Sequence, residues 1–398
     1  MKILFLDAYF LPEKTAYTHL EQDLLSGLVA AGHSVQILCP MPTRGVDAAV
    51  AKQYRKRKHE EMFGGQVKVR RFWAPQEGKN VLIRALRYFW CNLRQYQLGL
   101  KYKNIDRIYA VSTPPTQGLL AGKLAKKLGC RFVYNLQDVF PDSLVFTGIA
   151  KKDSLPWKLG RIIEDKTYDM AEKIIVISRD HKENIMKKGV PEAKINLVPN
   201  WIDTEATYPV VKKDNRLYAQ FGIDPEVFTV VYAGNLGAAQ DGNLMLEAAV
   251  KLPAVQFVIF GGGSEYEDIR KKAEKLPNVT IHPLLSQDRV PEVYSLGDVA
   301  LILGKKGIGS SGVPSKTWTI MACGTPIIAA VDTESELAQT ICGAEAGICL
   351  EPGDPEALAA AITAMQTQRE RYAGGRAYVC DHASKTTAIR RYLEVLER

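Results

Sequence analysis

Residues 229–237 read Thr229-Val230-Val231-Tyr232-Ala233-Gly234-Asn235-Leu236-Gly237, and residues 256–265 read Gln256-Phe257-Val258-Ile259-Phe260-Gly261-Gly262-Gly263-Ser264-Glu265. Both are short runs of β-branched and aromatic residues that stop at glycine, the pattern of a buried strand ending in a loop. Working outward, β-rich runs recur at 279–282, 299–303, 326–330 and 347–350, with longer helical patterns between them. Toward the N-terminus they recur at 3–6, 35–38, 67–72, 107–111, 132–135, 174–177 and 195–198. The first two of these flank residues 17–31, where Leu20, Leu24, Leu25 and Leu28 keep helical spacing and Gly32 closes the run. Strands alternating with helices in this way predict parallel α/β sheets.

A polar stretch at 203–215, including Val211-Lys212-Lys213-Asp214, separates the two series and predicts a domain boundary near 200–215. A chain of 398 residues is too long for one ordinary domain, given a prior of about 150 residues for each. Two α/β halves of similar size predict a cleft between them, because such sheets bind ligands at the carboxyl ends of their strands. That arrangement suits a reaction with two substrates, although a fold alone does not set a function.

Composition narrows the class. Hydrophobic residues make up 46% and charged residues 24%, as in a globular chain rather than a disordered one. No apolar run approaches the roughly 18–20 residues of a membrane-spanning helix. The opening Met1-Lys2-Ile3-Leu4-Phe5-Leu6-Asp7 is shorter than a signal-peptide core and reads as a first strand. The 7 cysteines form no C-x-x-C pair and no cluster with histidine, which predicts reduced structural thiols in a cytoplasmic protein and no metal site. The net charge of +8 is concentrated early, in residues 51–60 and 81–103. The second segment mixes Arg84, Arg87, Arg94, Lys101 and Lys103 with Leu82, Ile83, Leu86, Phe89, Trp90 and Leu93. It reads either as a helix lying on an anionic membrane or as a core helix with a solvated basic face. No motif for binding nucleic acid accompanies the charge.

Three loops in the second half carry chemistry. Glycine at the end of a strand lets backbone N–H groups approach phosphate oxygens, and the helix that follows offers its positive end. The loops after 229–233 and 256–260 have this form, but the second lacks the G-x-G-x-x-G spacing of a dinucleotide site. The third, Gly307-Ile308-Gly309-Ser310-Ser311-Gly312-Val313-Pro314-Ser315-Lys316-Thr317, adds hydroxyls and a lysine at a helix start, a group of anion-binding elements.

Gly312-Val313-Pro314-Ser315-Lys316, followed by Met321-Ala322-Cys323-Gly324-Thr325-Pro326-Ile327-Ile328, resembles the donor-site signature of the family-4 retaining glycosyltransferases. Ala171-Glu172-Lys173-Ile174-Ile175-Val176-Ile177-Ser178 is similar to that family's strand before the interdomain segment. Val198-Pro199-Asn200-Trp201-Ile202-Asp203 is similar to its hinge, and Ala31-Gly32-His33-Ser34-Val35 to its second-strand entry. The resemblance runs through the whole chain in order. Through Gln137-Asp138-Val139-Phe140-Pro141-Asp142 and the Pro-Ser-Lys-Thr loop, it is strongest to bacterial amino-sugar transferases of surface polysaccharide synthesis.

The resemblance implies the GT-B fold, two facing Rossmann-like domains with parallel sheets and an interdomain cleft. Residues 1–203 would bind the acceptor, residues 204–375 the nucleotide-sugar donor, and 376–398 would pack back onto the first domain. Gly234, Asn235, Leu236, Gly237 and Gln240 would line the donor diphosphate, with Gly261, Gly262 and Gly263 on the nucleoside side. Leu284 and Leu285, after His282, would border the base. Lys316 and the loop Ser310, Ser311, Gly312, Val313, Pro314 and Ser315 would neutralise the leaving diphosphate, the main electrostatic demand of the reaction. Asp138 would orient or deprotonate the acceptor hydroxyl, or cap a helix instead. The resemblance also implies a UDP-sugar substrate, a lipid- or carrier-linked saccharide acceptor, and neither metal nor cofactor.

The departures are specific. Ser311 and Thr319 stand where many members carry two glutamates, Gln137 replaces the commoner histidine, and Asn235 and Gln240 replace a basic pair. Glu13-Lys14-Thr15-Ala16 takes the place of the first glycine-rich loop, while Glu334 and Glu336 are candidate stand-ins or helix-start residues. Two other readings remain open at this point. One is a nucleotide-sugar 2-epimerase on a similar fold, whose expected cluster of carboxylates and histidines is missing. The other is a non-catalytic relative that binds a partner enzyme.

Overall fold

The computed structural model describes residues 1–13, 15–77, 81–146, 151–306 and 313–398. The chain divides into two compact units, Met1–Val198 with Ile389–Arg398, and Pro199–Ala388. The division therefore falls a few residues before the expected 203/204, and the return segment starts at Ile389 rather than at 376.

The first unit is built on β1 (Lys2–Leu6), β2 (Ser34–Pro40), β3 (His59–Met62), β4 (Val67–Phe72), β5 (Arg107–Val111), β6 (Arg131–Leu136), β7 (Lys173–Val176) and β8 (Ile195–Leu197). Their order across the sheet is β3-β4-β2-β1-β5-β6-β7-β8. All pairings are parallel except β3 with β4. Every strand expected in this half is present within about two residues at its ends. The added strand is β3, His-Glu-Glu-Met, a polar edge with no apolar signal to find it by. The helix Thr18–Ala30 buries Leu20, Leu24, Leu25 and Leu28, the spacing the sequence predicts.

The C-terminal residues complete this unit. Tyr392 is fully buried, with its ring 6.4 Å from Tyr109, and the Arg107 Nε donates to the Leu396 carbonyl at 3.0 Å.

The second unit holds β9 (Thr229–Asn235), β10 (Gln256–Gly262), β11 (Val279–Pro283), β12 (Val299–Leu303), β13 (Ile327–Ala330) and β14 (Gly347–Leu350). They are parallel throughout, in the order β11-β10-β9-β12-β13-β14. Side chains alternate along β9. Val231 and Ala233 enter one core layer, Val230 and Tyr232 the other, so the sheet is covered on both faces.

In each unit the chain builds outward on one side of its first strand and then returns to the other. The reversal lies between β1 and β5 in the first sheet and between β9 and β12 in the second. Loops diverge at such a point, leaving a crevice at the carboxyl ends of the strands.

Candidate active site

In the second unit the crevice falls where the expected loops lie. After β9, Gly234 adopts a φ of +147°, and a Cβ there would come 2.9 Å from the Lys316 Nζ. Lys316 is in the first turn of the helix Ser315–Ala322, with its ammonium over the Tyr232 ring, 4.8 Å from the centroid. Tyr232 is fixed in turn by donating its hydroxyl to the Asn235 carbonyl at 2.7 Å. Among the described residues no carboxylate pairs with Lys316, and burial alone pushes its pKa down to about 8. A half-buried ammonium that lies on an aromatic face without a carboxylate partner among the described residues gains from an incoming anion. Pro314 caps the helix without a side-chain acceptor, so no side chain there competes for the first-turn amides.

The loops after β9 and β10 are locked together. The Leu236 N–H donates to the Gly262 carbonyl at 2.7 Å, and the Leu236 carbonyl accepts from the Glu265 N–H at 2.9 Å. Gly263, at φ +122°, leaves no room for a Cβ, which would lie 2.3 Å from the Asn235 Oδ1 and 2.6 Å from the Leu236 carbonyl. Leu236 itself is buried in the core, with its backbone groups engaged in these bonds, so its part is packing rather than the expected donor contact.

Asn235 and Gln240, which stand in place of a basic pair, bond to each other, Nδ2 to Oε1 at 3.0 Å. The loop after β12 joins the same cluster through the Lys305 N–H, which donates to the Ala239 carbonyl at 3.1 Å.

Around the expected base position, His282 lies against Phe221 and Phe260, with ring centroids 4.1 and 5.5 Å away. Its Nε2 is buried without a partner among the described residues, and burial lowers its pKa. Leu284 is half exposed beside Gly262, while Leu285 packs against the core. The Thr319 hydroxyl donates back to the Ser315 carbonyl at 3.1 Å, a bond within the helix, and Val313 packs on the core. Ser310, Ser311 and Gly312 lie outside the described residues. Glu336 opens the helix Glu336–Gly343, the helix-start role, while the Glu334 carbonyl accepts from the Gln339 Nε2.

At the carboxyl ends of the first sheet, Asp138 is exposed just after β6. The Ser112 hydroxyl accepts from the N–H groups of both Gln137 and Asp138 at 3.1 Å, so the turn is set by a residue from the end of β5. The Gln137 side chain donates to the Asn135 Oδ1 at 3.0 Å. Asn135 donates to the hydroxyls of Tyr17 (3.0 Å) and Tyr109 (2.6 Å). Beneath this network Asp7 and Glu21 are buried together. Burial pushes Asp7 up to about 7, against a lowering hydrogen bond from Glu21. Glu21 is held well above the carboxylate range by burial and then by Asp7, so the pair retains a proton at neutral pH.

His181 was not singled out in the sequence. It is buried in the helix Arg179–Lys187, where burial lowers its pKa and the charge of Asp138 opposes that shift. An isolated histidine carries no sequence signal for this proximity. Among the described residues no group of three His, Cys, Asp or Glu could hold a metal ion, and no helix is long and apolar enough to cross a membrane.

Known proteins share this architecture and its motifs. The pattern described as Glycosyltransferase Family 4 matches residues 22–206, and that described as Glycosyl transferases group 1 matches residues 214–375. The chain is 26% identical to the glycosyl transferase of Escherichia coli K12 named WcaI, for colanic acid biosynthesis, over 99% of both chains. It is 29% identical to the glycosyltransferase WbjE of Pseudomonas aeruginosa, over 73% of this chain and 74% of that one. Anabaena HepE, solved in complex with UDP, superposes with a TM-score of 0.71 at 16% identity over 100% of both chains.

Proposed function

Because this chain belongs to the family-4 glycosyltransferases and has their GT-B fold, we propose that it transfers a sugar from a UDP-sugar to a carrier-linked saccharide in surface polysaccharide synthesis. The observation that carries the donor side is Lys316, a half-buried ammonium over the Tyr232 ring that no carboxylate among the described residues pairs, at the crevice of the second sheet. As the acceptor oxygen bonds to the sugar C1, the C1–O bond to the diphosphate breaks and its electron pair leaves with the nucleotide. Lys316 stabilises that developing charge in a partly dehydrated setting, where a fixed cation has its largest effect. Asp138 takes the proton of the acceptor hydroxyl or orients it.

The amino-sugar donor, the retained anomeric configuration and independence from metal and cofactor rest on the family resemblance. The name of WcaI supports the polysaccharide role, and the UDP complex of HepE supports the nucleotide. A lipid-linked acceptor would be met at the anionic cytoplasmic leaflet, and the basic, aromatic segment 81–103 is suited to contact it.

Calorimetric titration with UDP, GDP and a panel of their sugars tests this reading. Selective binding of UDP species, followed by product formation on a lipid-linked saccharide, is the expected result. Absence of any nucleotide binding overturns it. Tight binding without turnover would favour the non-catalytic reading, whose motive is Thr319 in a glutamate's place with its hydroxyl turned back to its own helix.

A further inference from the structure

Cys342 and Cys349 are too far apart in sequence to form a C-x-x-C pair, yet the fold sets them side by side. The helix Glu336–Gly343 packs on β14 and buries Leu337, Ala338 and Ile341. Side chains alternate along β14. Ile348 joins one core layer and Cys349 the other, the layer that holds Leu337 and Ile341, so Cys349 faces the helix. Gly347 fixes the strand beneath it. A Cβ there would lie 2.0 Å from the Ile327 carbonyl oxygen, so β14 is pressed onto β13 with Cys349 opposite Ala329.

Two observations place the Cys349 sulfur against Cys342. The Cys349 thiol donates to the Ala338 carbonyl at 3.7 Å. In a helix that carbonyl serves the N–H of residue 342, and a helical side chain leans back over the preceding turn. The Cys342 side chain and the Cys349 sulfur therefore share the space beside Ala338. The same contact holds the Cys349 thiol well above its ordinary range, through burial first and then through the charge of Cys342 and a hydrogen bond with it.

Access singles out the pair. Cys342 is exposed, whereas Cys39, Cys91 and Cys323 are buried and Cys130, Cys349 and Cys380 are half-buried. Among the described residues no third His, Cys, Asp or Glu joins the two thiols in a set that could hold a metal ion. A thiol kept only for packing gains little at an exposed position. One accessible thiol backed by a sheltered one is the arrangement of a thiol that meets an oxidant and a thiol that resolves it.

We propose that Cys342 and Cys349 form a reversible disulfide on exposure to a peroxide, with Cys342 as the attacking and Cys349 as the resolving thiol. The Cys342 thiolate attacks one peroxide oxygen, the O–O bond breaks, and the sulfur keeps a hydroxyl as a sulfenic acid. The departing hydroxide takes up the proton that the thiol released and leaves as water. The Cys349 sulfur then attacks the sulfenic sulfur, the S–O bond breaks, and the hydroxyl leaves with the Cys349 proton as a second water. Two thiols thus lose two electrons, which the peroxide accepts. The bond ties β14, an edge strand of the second sheet, to the helix beside it. It involves none of the residues assigned to the donor and stands apart from that reading.

The test treats the reduced, folded full chain with hydrogen peroxide, alkylates the remaining thiols and cleaves after glutamate. Cleavage after Glu336, Glu345 and Glu356 puts the two thiols on separate peptides, 337–345 and 346–356. A linked pair of these peptides, present after peroxide and lost on treatment with dithiothreitol, is the expected result. Cys342→Ser should abolish the link and leave Cys349 open to alkylation. Cys349→Ala should also abolish it and raise dimedone labelling of Cys342 by about tenfold, because the sulfenic acid is no longer resolved. UDP titration of each variant checks that the second unit is folded, and Cys349→Ser serves if Cys349→Ala is not. Oxidation of wild-type Cys342 to the sulfinic acid with Cys349 still alkylatable overturns the proposal. So does a link from Cys342 to any other cysteine or to a second molecule, and so does the absence of any reaction at Cys342.

Discussion

The strand ends of the two units are built of different materials. In the second unit the crevice is made of backbone, with glycine loops interlocked so closely that Gly263 has no room for a Cβ, and the half-buried ammonium of Lys316 above Tyr232. In the first unit it is made of side chains, a chain of hydrogen bonds from Gln137 through Asn135 to Tyr17 and Tyr109, over the proton-holding pair Asp7 and Glu21. Amides and one cation suit a diphosphate, which differs little from one nucleotide-sugar to another. Oriented side chains suit an acceptor whose hydroxyl must be singled out. The comparison explains why the strand ends of the second unit carry short motifs and those of the first do not.

The largest effect that separates the two regions is expected at Lys316. Replacement by alanine should lower kcat by about two to three orders of magnitude with the thermal midpoint nearly unchanged; wild-type turnover in that variant would remove Lys316 from the chemistry.

Gly263→Ala should act through structure. The forced left-handed φ and the contacts inside 3 Å should cost about 2 kcal/mol, read as a lowered denaturation midpoint together with weakened UDP binding. An unchanged midpoint would show that the interlocked loops yield easily.

Lys316 also predicts a pH signature. With its pKa near 8 in the free protein, UDP binding should weaken about tenfold for each pH unit above that value and should take up a proton there. Because the fold favours the neutral amine, the stability of the free protein should rise as pH climbs from about 8 toward the ordinary lysine range. Calorimetry in buffers of different ionisation enthalpy measures the uptake, and its absence would mean that the ammonium does not meet the diphosphate.

The smallest effect concerns the carboxyl pair. The raised pKa of Asp7 means that the folded state binds more protons than the unfolded between about 4 and 7, so this group's contribution to stability falls as pH rises through that window. Glu21→Gln should flatten that slope by roughly 1 kcal/mol; an unaltered pH profile would show that the pair does not share its proton.

The loops at the strand ends of the second unit were legible because their determinants are local. Strands 229–233 and 256–260, the glycines that end them and the Pro-Ser-Lys-Thr helix start are each contiguous in sequence, and the loop after β9, which borders the reversal of strand order, is bonded to the loop after β10. What was not legible depended on neighbours. Leu236 sits inside a glycine loop yet serves the core, and Asn235 and Gln240 satisfy each other. His181 reaches the surroundings of Asp138 from a separate helix, and the carboxyl pair joins the residue just after β1 to one in the helix that follows.

The sequence by itself determined the alternation of strand and helix, the two-unit division to within a few residues and the glycine motifs that end the strands of the second unit, because periodicity and glycine act over short range. It also determined that most of segment 81–103, the stretch Val81–Gly99, forms a helix with two unlike faces. Only the tertiary structure decided which face is inward. The expected alternative, a core helix with a solvated basic face, is corrected by Arg87 and Gln95, which lie inside while Leu86 and Phe89 lie outside. A helical period defines two faces but not their direction. That choice is made by the carbonyls of Pro75, Asp7 and Leu38, contributed by distant parts of the chain, which satisfy the buried polar groups and leave the apolar face unpartnered.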